Sequence, residues 1–98
     1  MIKEAIRHVN TKRYVYLKSR NCLMFRIRTA KQDIKNCYLI YWPRTNMKDK
    51  KEVKLICKQR DALFDYYEAE VSFTKVARYQ KYYFKLEGLN GEIAYVNA

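Results

Sequence analysis

Apolar and polar residues alternate with a period of two along most of the chain. In segment 23–29, Leu23, Phe25 and Ile27 fall on one side of an extended backbone, and Arg26 and Arg28 fall on the other. Successive side chains of a β-strand point to opposite faces of its sheet, so this pattern is typical of a strand with one buried face. Other inward-facing sets with the same spacing are Cys37, Leu39 and Tyr41; Val53, Leu55 and Cys57; Tyr67, Ala69 and Val71; and Tyr82, Phe84 and Leu86.

Shorter candidates at 4–8, 14–17 and 92–96 bring the predicted total to seven or eight strands. Regular short strands separated by polar breaks predict an all-β sandwich or barrel. The dipeptide Asn90-Gly91 is the best turn signal, because both central residues of a type I′ turn need a positive φ angle. We expect this turn to join a strand over 79–87 to the last strand.

Segment 75–86 fits two patterns. Val76, Tyr79, Tyr83 and Leu86 have helical spacing, and Gly88 stands where a helix would end. Three tyrosines and a phenylalanine in the same segment favour a strand. Composition alone leaves both alternatives open.

Length and composition predict one domain, residues 1–98, with enough apolar residues (49%) for a packed core. No segment approaches the roughly 18 apolar residues of a membrane span, and the first residues lack the apolar core of a signal peptide. The three cysteines have no metal-binding spacing, which indicates reduced, structural thiols. We therefore expect a cytoplasmic protein.

The chain is strongly basic, with a formal net charge of +11. Such a charge attracts nucleic acid or an anionic membrane without specificity. The lysines and arginines are spread along the sequence rather than gathered in one block, which favours a solvated surface. This spread argues against nucleic acid as a partner, and we expect no membrane partner.

Catalytic patterns are missing from the sequence. The single histidine, His8, has no nucleophile placed by a recognisable motif and is expected at a surface or strand end. Two glycines cannot build the usual phosphate-binding loops. Glu68 and Glu70 lie on the polar side of a strand, where solvated carboxylates are expected. The sequence thus predicts no catalytic residues, no metal site and no cofactor.

Aromatic residues are abundant, with ten Tyr, four Phe and one Trp. Most of them occupy inward strand positions and are expected in the core, but Tyr38, Trp42, Tyr66 and Tyr83 fall outside that register. Exposed rings stack on sugars or on nucleobases. Pro43 directly follows Trp42; it favours an extended conformation there and should end the strand or place it at an edge.

Several segments resemble one known family. The start Glu4-Ala5-Ile6-Arg7-His8 followed by Tyr14-Val15-Tyr16 is similar to the "E-A-I-x-H … Y-A-Y" start of its N-terminal module. Other similar segments, in the right order, are 23–31 ("L-x-[IV]-R-L-R-T-K-K"), 61–69 ("D-x-x-F-D-Y-[FW]-x-A"), 78–86 ("R-x-K-Y-x-F-x-L") and the turn 90–92. The module precedes the catalytic barrel of neopullulanases, cyclomaltodextrinases and maltogenic amylases.

The resemblance implies an immunoglobulin-like β-sandwich of seven to eight antiparallel strands, classed as a carbohydrate-binding module of family 34. It implies that segment 75–86 is a strand. It also implies a noncatalytic first domain of a cytoplasmic α-glucan hydrolase of glycoside hydrolase family 13, whose barrel is not in this chain. The implied partners are maltooligosaccharides, cyclodextrins or starch-type α-glucans, and the catalytic barrels of the same subunit and of a partner subunit. The implied role is to support dimerisation and to shape, or bind at, the α-1,4/α-1,6-glucan substrate site.

The chain departs from the family after the strand ending at Tyr41. Relatives often have "Y-[GA]-D-x-[YF]" there, whereas this chain has Tyr41-Trp42-Pro43-Arg44-Thr45, with Thr45 in place of the aromatic residue. In relatives this aromatic residue reaches toward the substrate site of the partner subunit. In this chain either the contact is lost, or Trp42 replaces the missing aromatic residue. The residues predicted to contact carbohydrate or a partner are Trp42, Arg44, Thr45, Tyr38 and Tyr66.

Two other functions remain open. The charge and the rings also suit a β-barrel that binds single-stranded nucleic acid, which would place basic and aromatic residues on one sheet face. A purely structural domain without a ligand is the second alternative.

Overall fold

The computed structural model describes residues 1–73 and 80–97, in which eight strands form two sheets. A short 3-10 helix (Lys3–Ala5) precedes the first strand. The strands are β1 (Val15–Ser19), β2 (Cys22–Ala30), β3 (Ile34–Pro43), β4 (Lys51–Lys54), β5 (Ile56–Arg60), β6 (Phe64–Ser72), β7 (Gln80–Gly88) and β8 (Ile93–Asn97).

Each sheet has four antiparallel strands, in the order β1-β2-β6-β5 in the first sheet and β4-β3-β7-β8 in the second. The chain passes from the second sheet to the first between β4 and β5, at Leu55, which is only 2% exposed. The prediction of an immunoglobulin-like, all-β sandwich is confirmed. No helix in the described part of the chain is both long enough and apolar enough to cross a membrane.

The core lies between the two sheets and, apart from Ile34 at the start of β3, its buried members occupy inward positions that alternation predicted. Its buried members are Phe25, Ile27, Ile34, Cys37, Leu39, Leu55, Tyr67, Ala69, Val71, Phe84 and Leu86. Burying one large apolar side chain contributes about 1.5–3 kcal/mol, so these alternating positions supply the main driving force for closing the sandwich. Tyr41, Val53, Cys57 and Tyr82 pack against this cluster and remain partly exposed.

The strand predicted over 4–8 is wrong. Lys3–Ala5 form a 3-10 helix, and only Arg7 makes a β-bridge, by exchanging two backbone hydrogen bonds with Arg28 (2.9 and 3.0 Å). The expectation that His8 lies at the surface is also wrong, because its side chain is buried. Sequence alternation cannot distinguish a strand from an irregular segment whose side chains fill gaps at the edge of a core.

The hairpin between β7 and β8 forms where Asn90-Gly91 predicted it, but the turn type is different. Gly91 has a φ of 86°, and Asn90 is not among the described residues with a positive φ. The Gly91 N–H donates to the Gly88 carbonyl (3.2 Å), and the Gly88 N–H donates to the Glu92 carbonyl (2.8 Å). A turn followed by one left-handed glycine is the usual geometry of a slightly longer hairpin loop.

Segment 75–86 is a strand where it can be described. Gln80–Gly88 forms β7, which pairs with β3 and β8, so the helical alternative fails for this part. Residues 74–79 and 98, and with them the first part of this prediction, lie outside the described residues. As predicted, β3 ends at Pro43, and its pairing with β4 stops earlier, at Tyr41.

Candidate functional site

The outer face of the second sheet carries the exposed aromatic residues of three adjacent strands. In β3, Tyr38, Ile40 and Trp42 alternate with the core residues and therefore point outward. Pairing places Tyr83 of β7 opposite Ile40, and Tyr95 of β8 next to them on the same face. Residues directly opposite in antiparallel strands share a face and pack side by side.

Trp42, Tyr83 and Tyr95 form a continuous aromatic row across β3, β7 and β8. The Trp42 and Tyr83 ring centroids are 5.8 Å apart, and the Tyr83 and Tyr95 centroids are 6.0 Å apart, both at 65°. These are edge-to-face contacts, which fix the rings relative to one another. Trp42 and Tyr83 are partly buried, whereas Tyr95 is 63% exposed. The row therefore presents aromatic surface to solvent from a rigid sheet.

Lysines surround the aromatic row. The Lys50 ammonium lies 4.8 Å from the ring centroid of Trp42 and 5.5 Å from that of Tyr83, within the range of a cation–π contact. Three further lysines and two glutamates share this face, as judged from strand pairing; they are Lys54, Lys81, Lys85, Glu52 and Glu87. With Lys50, four positive and two negative charges leave the face with a net charge of +2.

Tyr38 lies on the same face, at the other end of β3 from Trp42. Lys85 is placed over its ring, with the ammonium 5.9 Å from the centroid. Partial desolvation, and then the neighbouring Glu87 carboxylate, raise the pKa of the Tyr38 hydroxyl. Tyr38 is therefore neutral at physiological pH and presents an aromatic ring and a hydroxyl to the surface.

The structure gathers four of the five predicted site residues at this face and its rim, and it separates the fifth. Arg44 and Thr45 are exposed in the turn that follows Trp42, which is closed by donation from the Asn46 N–H to the Pro43 carbonyl (3.0 Å). Tyr66 lies on the outer face of the opposite sheet, across from Arg28 of β2. A ligand on the aromatic row does not reach Tyr66, because the whole sandwich lies between them.

Tyr95 is a member of the aromatic row that sequence reasoning did not select. The predicted hairpin at Asn90-Gly91 indicated only that β7 and β8 are neighbours; the observed pairing sets Tyr95 opposite Lys85, on the same face as Tyr83 and in ring contact with it. Using that indication requires the exact register of the hairpin. The expected type I′ turn would have given a different register, so Tyr95 could be placed only from the structure.

The histidine and the carboxylates of β6 lie outside this face and stabilise the folded structure. His8 Nδ1 lies 2.7 Å from the Arg26 carbonyl oxygen, and Nε2 lies 2.8 Å from the Tyr82 hydroxyl. Since a carbonyl only accepts, Nδ1 carries the proton and Nε2 accepts from Tyr82 in the neutral ring. Burial lowers the pKa of His8, against the opposing effect of the hydrogen bond to Arg26. A buried neutral histidine with both nitrogens occupied stabilises packing rather than acting on a ligand.

The carboxylates of β6 are also paired within the fold. Asp65 is fully buried and accepts hydrogen bonds from Arg60 (2.5 and 3.0 Å) and from the Gln32 N–H (3.0 Å). Glu68 pairs with Arg26 at 2.9 Å. In residues 1–73 and 80–97, no three His, Cys, Asp or Glu side chains are grouped so as to hold a metal ion.

Comparison with known proteins identifies the same family for the whole chain. The model of the family described as "Alpha amylase, N-terminal ig-like domain" matches residues 1–98. A cyclomaltodextrinase from Thermoanaerobacter pseudethanolicus is 34% identical over 96 residues, which is 97% of this chain and 16% of that protein. A solved structure of a cyclomaltodextrinase superimposes on 100% of this chain and 18% of its own, with a TM-score of 0.80 and 28% identity.

The chain thus spans less than a fifth of the length of these relatives. Their similarity extends over the two sheets and the eight strands of the described residues, since nearly the whole chain is covered. The chain belongs to the family of alpha-amylase N-terminal immunoglobulin-like domains.

Proposed function

We propose that residues 1–98 are a single noncatalytic domain of a cytoplasmic neopullulanase- or cyclomaltodextrinase-like α-glucan hydrolase, and that the aromatic row contacts the glucan. The observation that carries this proposal is the row itself, Trp42, Tyr83 and Tyr95, held on the outer face of a sheet in a family of alpha-amylase domains. Aromatic faces stack on the apolar C–H surfaces of sugars, and the row offers several such faces at fixed positions. Maltooligosaccharides, cyclodextrins and starch-type α-glucans are the proposed ligands.

Within this proposal, Trp42 replaces the aromatic residue that is missing at Thr45. Trp42 is three positions earlier, but Pro43 ends β3 immediately after it, so its ring stands at the rim of the sheet beside the exposed turn. Arg44 and Thr45 flank it from that turn and supply hydrogen-bonding groups. Tyr38 extends the surface toward the other end of β3.

Binding of the 98-residue chain to maltohexaose and β-cyclodextrin tests this function. Trp42 is the only tryptophan, so its fluorescence reports on the aromatic row directly. We expect saturable binding that Tyr95→Ala weakens. Tyr66→Ala, on the opposite sheet, serves as the matched control and is expected to bind as the parent does. If neither sugar binds, the alternative of a purely structural domain is supported instead.

The noncatalytic and dimerisation parts of the proposal have separate tests. We expect no release of reducing sugar from cyclodextrin, pullulan or starch; hydrolysis that one substitution in this chain abolishes would contradict the noncatalytic assignment. The proposed dimer contact is made with the barrel of a partner subunit, and stable interfaces usually bury at least about 1,200 Å². The chain alone should therefore sediment as a monomer at micromolar concentration.

Binding of single-stranded nucleic acid is the second candidate. Four lysines and the aromatic row share one sheet face, which is the arrangement such proteins use. A salt titration separates the two functions, because phosphate binding weakens steeply with salt and stacking on a neutral glucan does not.

A further inference from the structure

Lys50 occupies the part of the aromatic row that a stacked sugar would need. It lies in the exposed loop between β3 and β4, and its ammonium is over both Trp42 (4.8 Å) and Tyr83 (5.5 Å). A sugar stacking on either ring must displace this ammonium and lose its cation–π contact. A neutral glucan offers no charge in return.

The charges near Lys50 favour a negative ligand. Lys81 is directly opposite Trp42 in the pairing of β3 with β7. In the loop, Lys50 stands between Asp49 and Lys51. In the strand register, Glu52, opposite Ile40, is the nearest carboxylate, and Glu87 lies six positions from Lys81 near the far end of β7. An anionic group on a stacked sugar would therefore meet Lys50 and Lys81 at the Trp42 end of the row.

We propose that Lys50 makes the aromatic row select α-glucans that carry an anionic group, such as a phosphate monoester, over neutral α-glucans. This inference rests on the proposed function. A phosphate monoester carries a charge of about −1.5 to −2 at pH 7, so it gives the displaced ammonium a new partner beside the rings. The ion pair with the Lys50 ammonium thus compensates the anionic glucan for the lost cation–π contact, whereas a neutral glucan receives no such compensation.

The test compares the parent chain with Lys50→Gln, using maltohexaose and maltohexaose bearing one phosphate monoester. Glutamine keeps a long polar side chain but removes the charge. Exposed cation–π contacts are worth about a two- to fivefold change in an equilibrium constant, so Lys50→Gln should bind maltohexaose about two- to fivefold more tightly. Its affinity for the phosphorylated sugar should stay the same or fall, because the loss of the ion pair between Lys50 and the phosphate offsets the gain from uncovering the rings.

Two control variants test whether the preference depends on a positive charge at this particular position. Lys58→Gln removes one charge from β5 in the other sheet, so it should leave the preference for the phosphorylated sugar unchanged. Lys50→Arg keeps a cation over the rings and should retain the preference. In the parent chain the preference should shrink in 1 M salt, where the screening length is about 3 Å.

The outcomes distinguish this inference from the function on which it rests. If both sugars bind at the aromatic row but Lys50→Gln changes their ratio no more than Lys58→Gln does, the inference is wrong and the proposed function stands. If neither sugar perturbs Trp42 fluorescence, both are wrong. Tighter binding of an oligothymidylate than of the phosphorylated sugar, with the same dependence on Lys50, would overturn the glucan assignment in favour of nucleic acid.

Discussion

Truncating Trp42 should cost less stability than truncating a core aromatic residue one strand away. Trp42 contacts Tyr83 edge-to-face and lies under Lys50 on the outer face of the sheet. An aromatic pair contributes about 0.5–1.5 kcal/mol and an exposed cation–π contact about 0.5–1 kcal/mol. Losing these two contacts should lower the free energy of unfolding by about 1–2.5 kcal/mol, and the apolar area that the partly buried ring covers adds to that loss. No cavity term is added, because the outer face is open to water.

Phe84→Ala is the matched control. Phe84 is 0% exposed and follows Tyr83 in β7, with His8 packed against it at a centroid distance of 4.6 Å. Removing a fully buried phenylalanine ring loses its transfer free energy and leaves a cavity, together about 3–5 kcal/mol. The two variants thus compare an outward and an inward aromatic residue in the same sheet.

Urea unfolding followed by far-UV circular dichroism measures both variants without relying on tryptophan fluorescence, which Trp42→Ala removes. With equal m-values, the difference in midpoint gives the difference in stability directly. We expect Trp42→Ala to unfold at a clearly higher urea concentration than Phe84→Ala. A loss at Trp42 equal to or greater than the loss at Phe84 would show that Trp42 is a core residue, and it would remove the basis for the aromatic row as a binding surface.

Further predictions concern buried titratable groups. Burial lowers the pKa of His8, so the unfolded chain takes up the proton first, and the free energy of unfolding should fall as the pH drops below about 6.5; His8→Gln should flatten this region in urea unfolding. Hydrogen bonds from Arg60 lower the pKa of Asp65, so its contribution should be complete above about pH 4 and be lost as the pH falls through the lower, folded-state pKa. Asp65→Ala should cost at least about 1.5–3 kcal/mol at pH 7, and a variant as stable as the parent would contradict this role of the buried carboxylate. Burial raises the pKa of the Cys37 thiol to about 12, so a thiol reagent at pH 8 should modify the partly exposed Cys57 first and Cys37 only after unfolding, whereas equal rates followed by mass spectrometry would show that Cys37 is accessible.

Much of the fold follows from local sequence pattern. The two-residue period of Leu39, Phe84 and their neighbours determines which side chains face inward, because that period is a property of any extended strand. The same period places Trp42 outward, and Pro43 ends its strand because proline cannot donate to the ladder. The family resemblance added the strand identity of segment 80–86, which periodicity left open.

The candidate site depended on which strands become neighbours. Trp42, Tyr83 and Tyr95 are separated by 41 and 12 positions in sequence (83 − 42 and 95 − 83), and they meet because β3, β7 and β8 are adjacent in one sheet. Tyr66 has the same outward register as Trp42, yet it belongs to the other sheet and faces away. Alternation predicts whether a side chain points inward or outward. It does not predict which of the two sheets contains the strand, since that is set by pairing between strands distant in sequence.

The polar interior was likewise decided by tertiary structure. The sequence predicted His8 at the surface or at a strand end, but in the structure the Arg26 carbonyl and the Tyr82 hydroxyl form hydrogen bonds with the two nitrogens of its ring. Asp65 reads as one of several strand carboxylates, but Arg60 and the Gln32 backbone satisfy it inside the fold. A polar group enters a core only where its hydrogen bonds are met. The sequence alone determined the sandwich and the facing of its rings, whereas the long-range contacts determined which rings meet and which polar groups are buried.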